Sequence, residues 1–243
     1  MKTNAEYDLA GFDRKRAAGK KRSVSIGYVL INIVFVFITI ACIMPILLLI
    51  SVSFSDETEI LLHGYSLIPR KFTTEAYEVL LENPRMLIDA YLVTIFVTVV
   101  GTLISIWLIT SLAYVTTKKT FKYRNVISFY VFFTMLFNGG IVPSYILISQ
   151  WLRLRDTLAA LIVPLLVNAW FVIIMKGFLS DIPESIPESA KIDGASEFVI
   201  FTRIIIPISK PAIATVSLFI ALNYWNDWFL SMLYIDNERL YSL

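Results

Sequence analysis

Side chains able to do chemistry are few in these 243 residues, and most fall in two stretches. Residues 223–228 read Asn-Tyr-Trp-Asn-Asp-Trp, and residues 181–211 hold five acids, one glycine and closing Ile-Pro steps. Neither is built for covalent catalysis. His63 is the only histidine, so no Ser-His-Asp set can be assembled, and it has no Cys or His company for a metal. Cys42, the single cysteine, excludes an internal disulfide; its apolar surroundings predict a buried, inert thiol. There is no G-x-x-x-x-G-K-[ST] phosphate loop, because Gly19-Lys20 lacks both the upstream glycine and the Ser or Thr. Paired carboxylates in a plausible pocket are also missing. The chain is therefore expected to be no enzyme and to hold no metal. What residues 223–228 can do is bind: aromatic faces stack on sugar rings, and Asn or Asp bonds hydroxyls. The competing role is interhelical hydrogen bonding. Trp228 is expected to pack, while both roles stay open for Tyr224, Asn226 and Asp227. Asn138 and Asn168 are weaker candidates for the same pathway.

The elements that must position these groups are membrane helices. The chain is 57% hydrophobic and only 16% charged, more apolar surface than a soluble fold of this length can hide. A net charge of +2 is too small to argue for nucleic acid. Five apolar spans are expected, at residues 25–53, 87–114, 126–151, 158–179 and 204–233, each near or above the roughly 20 residues a bilayer needs. Residues 1–23 carry two basic clusters, Arg14-Lys15-Arg16 and Lys20-Lys21-Arg22, and read as a cytoplasmic tail. The Lys118-Lys119, Lys122, Arg124 hairpin agrees with that side; Arg153 and Arg155, on a short outer loop, run against a strict count. Residues 54–86 form an outer loop with one short helix near 73–81. Pro45 is expected to kink the first span. Gly139-Gly140 and Pro143 predict a broken third span, either a packing kink or backbone lining a cavity.

Residues 181–211 are placed in the cytoplasm by this count. Ser185-x-x-Glu188 has capping-box spacing, which predicts a short helix starting near Ile186. Gly194 should end it, and a second helix should restart at Ser196 and bend at Pro207 and Pro211 on its way into the membrane. Ile192, Ala195 and Phe198 are its expected apolar side. Asp181, Glu184, Glu188, Asp193 and Glu197 outnumber Lys191 and Arg203, so anionic lipid would repel the stretch. A protein partner fits better than a lipid surface.

Glu188-Ser189-Ala190-x-x-x-Gly194, followed after nine residues by Ile204-x-Ile206-Pro207, resembles the EAA loop of ATP-binding-cassette importer permeases. The spacing matches throughout, and Asp193-Gly194-Ala195 matches the D-G-A extension. Ser189 for Ala and Ile206 for Leu are the departures. Phe137-Asn138-Gly139-Gly140-x-Val142-Pro143 and Trp225-Asn226-Asp227-Trp228 resemble features of carbohydrate permeases, and the similarity spans about residues 20–243. The first resembles the oligosaccharide and polysaccharide branch and the second, maltose-type permease of a heterodimer.

The resemblance implies an all-α, polytopic type I ABC importer (MetI-like) permease fold, normally of six spans where five are read here. It implies a permease domain at 24–243 with a coupling loop at 181–207. The implied partners are a second permease, an ATPase dimer that carries the ATP and Mg, and an extracytoplasmic sugar-binding protein. The implied setting is the cytoplasmic membrane of a prokaryote, with the N-terminus inside. Contact with the ATPase is carried to Glu188, Ala190, Asp193, Gly194, Ala195 and Pro207. The expected cargo is an oligosaccharide or a polysaccharide, with an anionic one such as alginate among the candidates. Half of a secondary carrier and a membrane scaffold are the rival readings. The carrier would need an inverted repeat and an ion site, neither of which the sequence displays.

Overall fold

The computed structural model describes residues 26–82 and 84–242, so the basic tail at 1–23 lies outside the described residues. The regular structure of the described residues is helical; their nearest approach to a sheet is an isolated bridge between Ser55 and Phe72. The chain divides after Leu81 into two units.

The first unit is led by α1 (Ile26–Ser53), with Pro45 inside it. Its Ile, Val and Phe side chains point outward on every face, and Cys42 is exposed with them. The expectation of a buried thiol is corrected: a helix apolar all round gives a small side chain no core to retreat into. Two short helices follow, α2 (Glu57–His63) and α3 (Glu75–Glu82). The second is the helix expected near 73–81. The first is an addition, capped by Asp56, whose side chain accepts from the Thr58 amide at 3.0 Å. Asp56 also pairs with Lys71, and Phe54 stacks on Phe72 at 5.3 Å, so this loop has a small core of its own.

The second unit is organised on α4 (Pro84–Thr117), about 51 Å long at 1.5 Å per residue. Val93, Val97, Gly101, Ser105, Ile109 and Ala113 recur every fourth residue and are buried. This stripe meets Ala212, Val216, Ile220 and Tyr224 of α11 (Lys210–Trp225), which share the same period. Small residues let the two backbones approach: a Cβ on Gly101 would lie 2.5 Å from the Tyr224 ring. The α4 helix also packs on α8 (Ala169–Ser180) through Val172, Met175 and Leu179.

Three of the five expected spans are broken. The third consists of α5 (Arg124–Leu136) and α6 (Ile141–Ile146), the latter extended by a π-helical turn Leu147–Trp151, with a 116° bend between them. Gly140 adopts φ 85° at the break, which L side chains rarely reach. The fourth joins α7 (Leu158–Ile162) and the 3-10 turn Val163–Leu165 to α8 at 51°. For the fifth, the expected start at 204 is corrected. Residues 197–208 form a separate arm, and the apolar helix begins only at Lys210 after an 81° corner at Ser209. Pro207 and Pro211 flank that corner, and neither can supply an amide to carry the helix through it. The helix also ends early, at Trp225, before a short α12 (Phe229–Tyr234). Among the described residues, two helices are long and apolar enough to span a membrane alone, and counting each bent pair as one span gives up to five.

Candidate functional site

The stretch after α8 folds into α9 (Ser185–Ile192) and α10 (Glu197–Ile200), which continues through a π-helical turn Phe201–Ile205 and the turn Ile206–Ile208. The expected capping box is not made. Glu184 is already in the helical region (φ −61°, ψ −26°), so Glu184 is the cap residue and Ser185 lies inside the helix. Its carbonyl accepts from the Ser189 hydroxyl at 2.8 Å, and the Glu188 amide bonds Glu184 instead. The other end is as expected. Gly194 takes φ 83°, its amide bonds the Lys191 carbonyl and the Ala195 amide bonds the Ala190 carbonyl, both within 3.1 Å. That pair of bonds is a Schellman ending, and it turns the chain back so that Ala190 and Ala195 both pack on the core. Ser196 then caps α10, accepting from the Val199 amide at 3.4 Å.

What α9 leaves outward is specific. Glu188 and Asp193 are exposed, and the Glu188 carboxylate makes no hydrogen bond or ion pair among the described residues. Ile192 is 86% exposed and Phe198 is 65% exposed. Pro207 is exposed at the corner. Between α9 and the end of α4 lies a cleft of about 580 Å³, lined by Tyr114, Lys118, Lys119, Glu184, Glu188 and Glu197 among others.

Five of those residues form ties that the sequence reading did not single out. Lys119 pairs with Glu184 at 2.7 Å. Glu197 receives Lys191 at 3.2 Å, Lys118 at 3.6 Å and the Tyr114 hydroxyl at 3.1 Å. The signal that could have found them is charge: a basic turn at 118–119 and an acidic loop at 181–197 were assigned to the same side.

The pathway candidates separate. Tyr224 is buried; its hydroxyl donates to the Ile162 carbonyl at 3.0 Å and lies 3.1 Å from the Ser105 hydroxyl. It locks three elements together. Trp228, expected to pack, is 63% exposed, so the packing role belongs to Tyr224. Asn138 is spent on the break after α5, accepting from the Gly140 amide at 2.8 Å. Asn168 caps α8, accepting from the Trp170 amide at 2.9 Å. Asn168, Asn226 and Asp227 nevertheless come together with Asn223, Phe171 and Phe219 around an open cleft of about 390 Å³. The Asp227 carboxylate also faces the Phe229 and Leu230 amides at the start of α12.

Comparison with known proteins gives relatives and a shared fold. The chain is 41% identical over 201 residues to protein LplC of Bacillus subtilis (strain 168), covering 83% of this chain and 68% of the relative. It is 38% identical over 202 residues to the polygalacturonan/rhamnogalacturonan transport system permease protein YtcP of the same organism, covering 83% and 70%. Among solved structures, a bacterial ABC transporter involved in the import of the acidic polysaccharide alginate matches at 30% identity. Its TM-score is 0.78, over 90% of this chain and 78% of that one. No protein-family model matches.

Proposed function

The chain belongs to the permease subunits of ATP-binding-cassette importers for sugars and oligosaccharides, and from that premise we propose that it is a non-catalytic, pore-forming subunit driven through α9. It is a membrane protein of an importer that takes up oligosaccharide or polysaccharide. Its partners in this reading are a second permease, an ATPase dimer and an extracytoplasmic sugar-binding protein. ATP and Mg belong to the ATPase, and the N-terminus lies on the cytoplasmic side of a prokaryotic inner membrane.

One observation carries the docking role: α9 holds Glu188 exposed and unpartnered one turn before the exposed Ile192, and Phe198 is exposed on α10. An exposed apolar side chain one turn from a free carboxylate is the pattern of a protein contact, with an anchor for burial and a charge for register. Closure of the ATPases would push α9, and the corner at Ser209 would pass the movement to α11, shifting the permease between inward-facing and outward-facing states. Asn168, Asn226 and Asp227 are the proposed pathway residues, because the cleft they share offers amides, a carboxylate and aromatic faces to hydroxyl-rich cargo.

The test is Glu188→Lys in the purified four-component complex. Loss of substrate-stimulated ATP hydrolysis with weakened assembly is expected; normal uptake and coupled hydrolysis would reject α9 as the docking helix. Stimulation by oligogalacturonides, alginate oligomers and neutral arabino-oligosaccharides, each with its binding protein, identifies the cargo. Uptake by the purified chain without ATP would instead favour a secondary carrier.

A further inference from the structure

Movement of α9 can reach the packed helices of its unit by two routes. One follows the chain through α10 and the corner at Ser209 into α11. The other crosses space to α4, and it is made of Tyr114, Glu197 and Phe201.

Tyr114 is buried in the last turn of α4. Its hydroxyl donates to Glu197 Oε2 at 3.1 Å, and its ring lies 5.1 Å from the ring of Phe201. Trp107, two turns earlier on α4, meets Phe201 edge-on at 5.6 Å. Phe201 opens the π-helical turn Phe201–Ile205, and both end residues of that turn are buried. A π turn adds a residue to the helical repeat and re-aims the side chains it carries, a device common at functional sites. Lys118 lies 4.6 Å from the centre of the Tyr114 ring and 3.6 Å from Glu197. Lys191 reaches Glu197 from α9, and Lys119 reaches Glu184 ahead of α9. Both ends of the docking helix are thus tied to residues 114–119.

These ion pairs add little to stability, because the Glu197 side chain is 53% exposed and water screens it. Their effect is on geometry. The buried Tyr114–Phe201 contact joins α4 to the arm that follows α9, and the Glu197 carboxylate ties both to Lys191 of α9. Resting on the docking reading above, we propose that Tyr114 and Glu197 are positioning residues that make α9 and the cytoplasmic end of α4 move as one body.

The experiment uses the assembled complex, with Cys42→Ser as background and spin labels at Ser189→Cys on α9 and Thr120→Cys after α4. Distances are measured without nucleotide and with ATP and vanadate. The expected result is a separation that agrees between the two states to within about 2 Å, the size of a small helix shift. Tyr114→Phe keeps the ring and removes only the hydroxyl; Glu197→Ala removes all three ties. Each is expected to let the separation change by more than about 2 Å on trapping. Uptake per ATP hydrolysed should fall about tenfold in Glu197→Ala, within the range of ordinary coupling energies, while the assembled complex still hydrolyses ATP. A residue with only a structural role would lower assembly, hydrolysis and uptake together. A separation that changes in the unsubstituted protein overturns the proposal, as does one that stays fixed in both variants. Failure of the docking reading has a different signature: Glu188→Lys would assemble normally, and trapping would move neither label relative to the ATPase.

Discussion

Tyr224 joins α11 to two other elements, with its ring against Gly101 of α4 and its hydroxyl between Ser105 of α4 and the Ile162 carbonyl of α7. Tyr224→Phe keeps the ring and drops both bonds. A loss of about 1 kcal/mol is expected, the usual scale of an interhelical hydrogen bond in a membrane, read as a lower unfolding midpoint in detergent. Gly101→Leu is the harsher change, because the side chain would enter the ring itself; overpacking of about 1–3 kcal/mol is expected, and the midpoint should fall further than for Tyr224→Phe. Gly194 is needed for conformation rather than space: nothing lies within 4 Å of its would-be Cβ, but its φ is 83°. Gly194→Val should cost about 1–2 kcal/mol locally, and Gly194→Asn less, measured as loss of ATPase binding by the permease. Asp56 sets a pH dependence outside the spans. The ion pair with Lys71 and the bonds from Thr58 bring its pKa from 3.8 down to about 2. A carboxyl depressed in the folded state stabilises at neutral pH, and that contribution fades as pH drops from 3.8 through about 2. Protection of the Thr73 amide, bonded to the Phe54 carbonyl, relative to its intrinsic exchange rate should therefore fall over that interval in the wild type. Asp56→Asn should show quick exchange already at neutral pH.

At the scale of elements, the breaks were the legible part. Gly140, Gly194, Pro207 and Pro211 announce themselves because each restricts or requires a backbone conformation whatever surrounds it. The restart at Ser196 was legible for the same reason, since a hydroxyl before a helix has few other uses. Ser185 was a decoy of the same chemistry: Glu184 enters the helix first and leaves the serine no amide to cap. The packed face of α4 was hidden, because an apolar helix in an apolar solvent has no polar side to mark it; only Gly101, Ser105 and Ala113 hint at where a neighbour comes close. The joint at Glu197 was hidden because it joins residues 83 positions apart from Tyr114. Ser209 gives this scale its prediction. Its side-chain oxygen is buried at the corner with no hydrogen-bond partner among the described residues. Ser209→Ala should therefore be neutral or slightly stabilising in this state, and a marked loss of transport without loss of midpoint would reveal a partner in another state.

For the whole chain, the exposed side chains are themselves informative. Phe35, Phe37 and Leu49 on α1 are each more than half exposed, as are Phe129 on α5 and Leu218 on α11. Water cannot be the solvent for such surfaces; lipid or another subunit of the importer must cover them. The chain should stay with membranes through alkaline carbonate extraction and dissolve only with detergent; release into the carbonate supernatant would contradict the membrane assignment. The corner at Ser209 then has a mechanical meaning. Its arms, residues 197–208 and α11, are about 18 Å and about 24 Å long at 1.5 Å per residue, set 81° apart. Two arms fixed near a right angle are a bell crank: a swing of one about the corner is delivered as a swing of the other, turned through the same angle. The near-equal arms return the displacement at about the same size, so this crank trades direction and not distance. A tilt of the 197–208 arm would leave the corner as a tilt of α11.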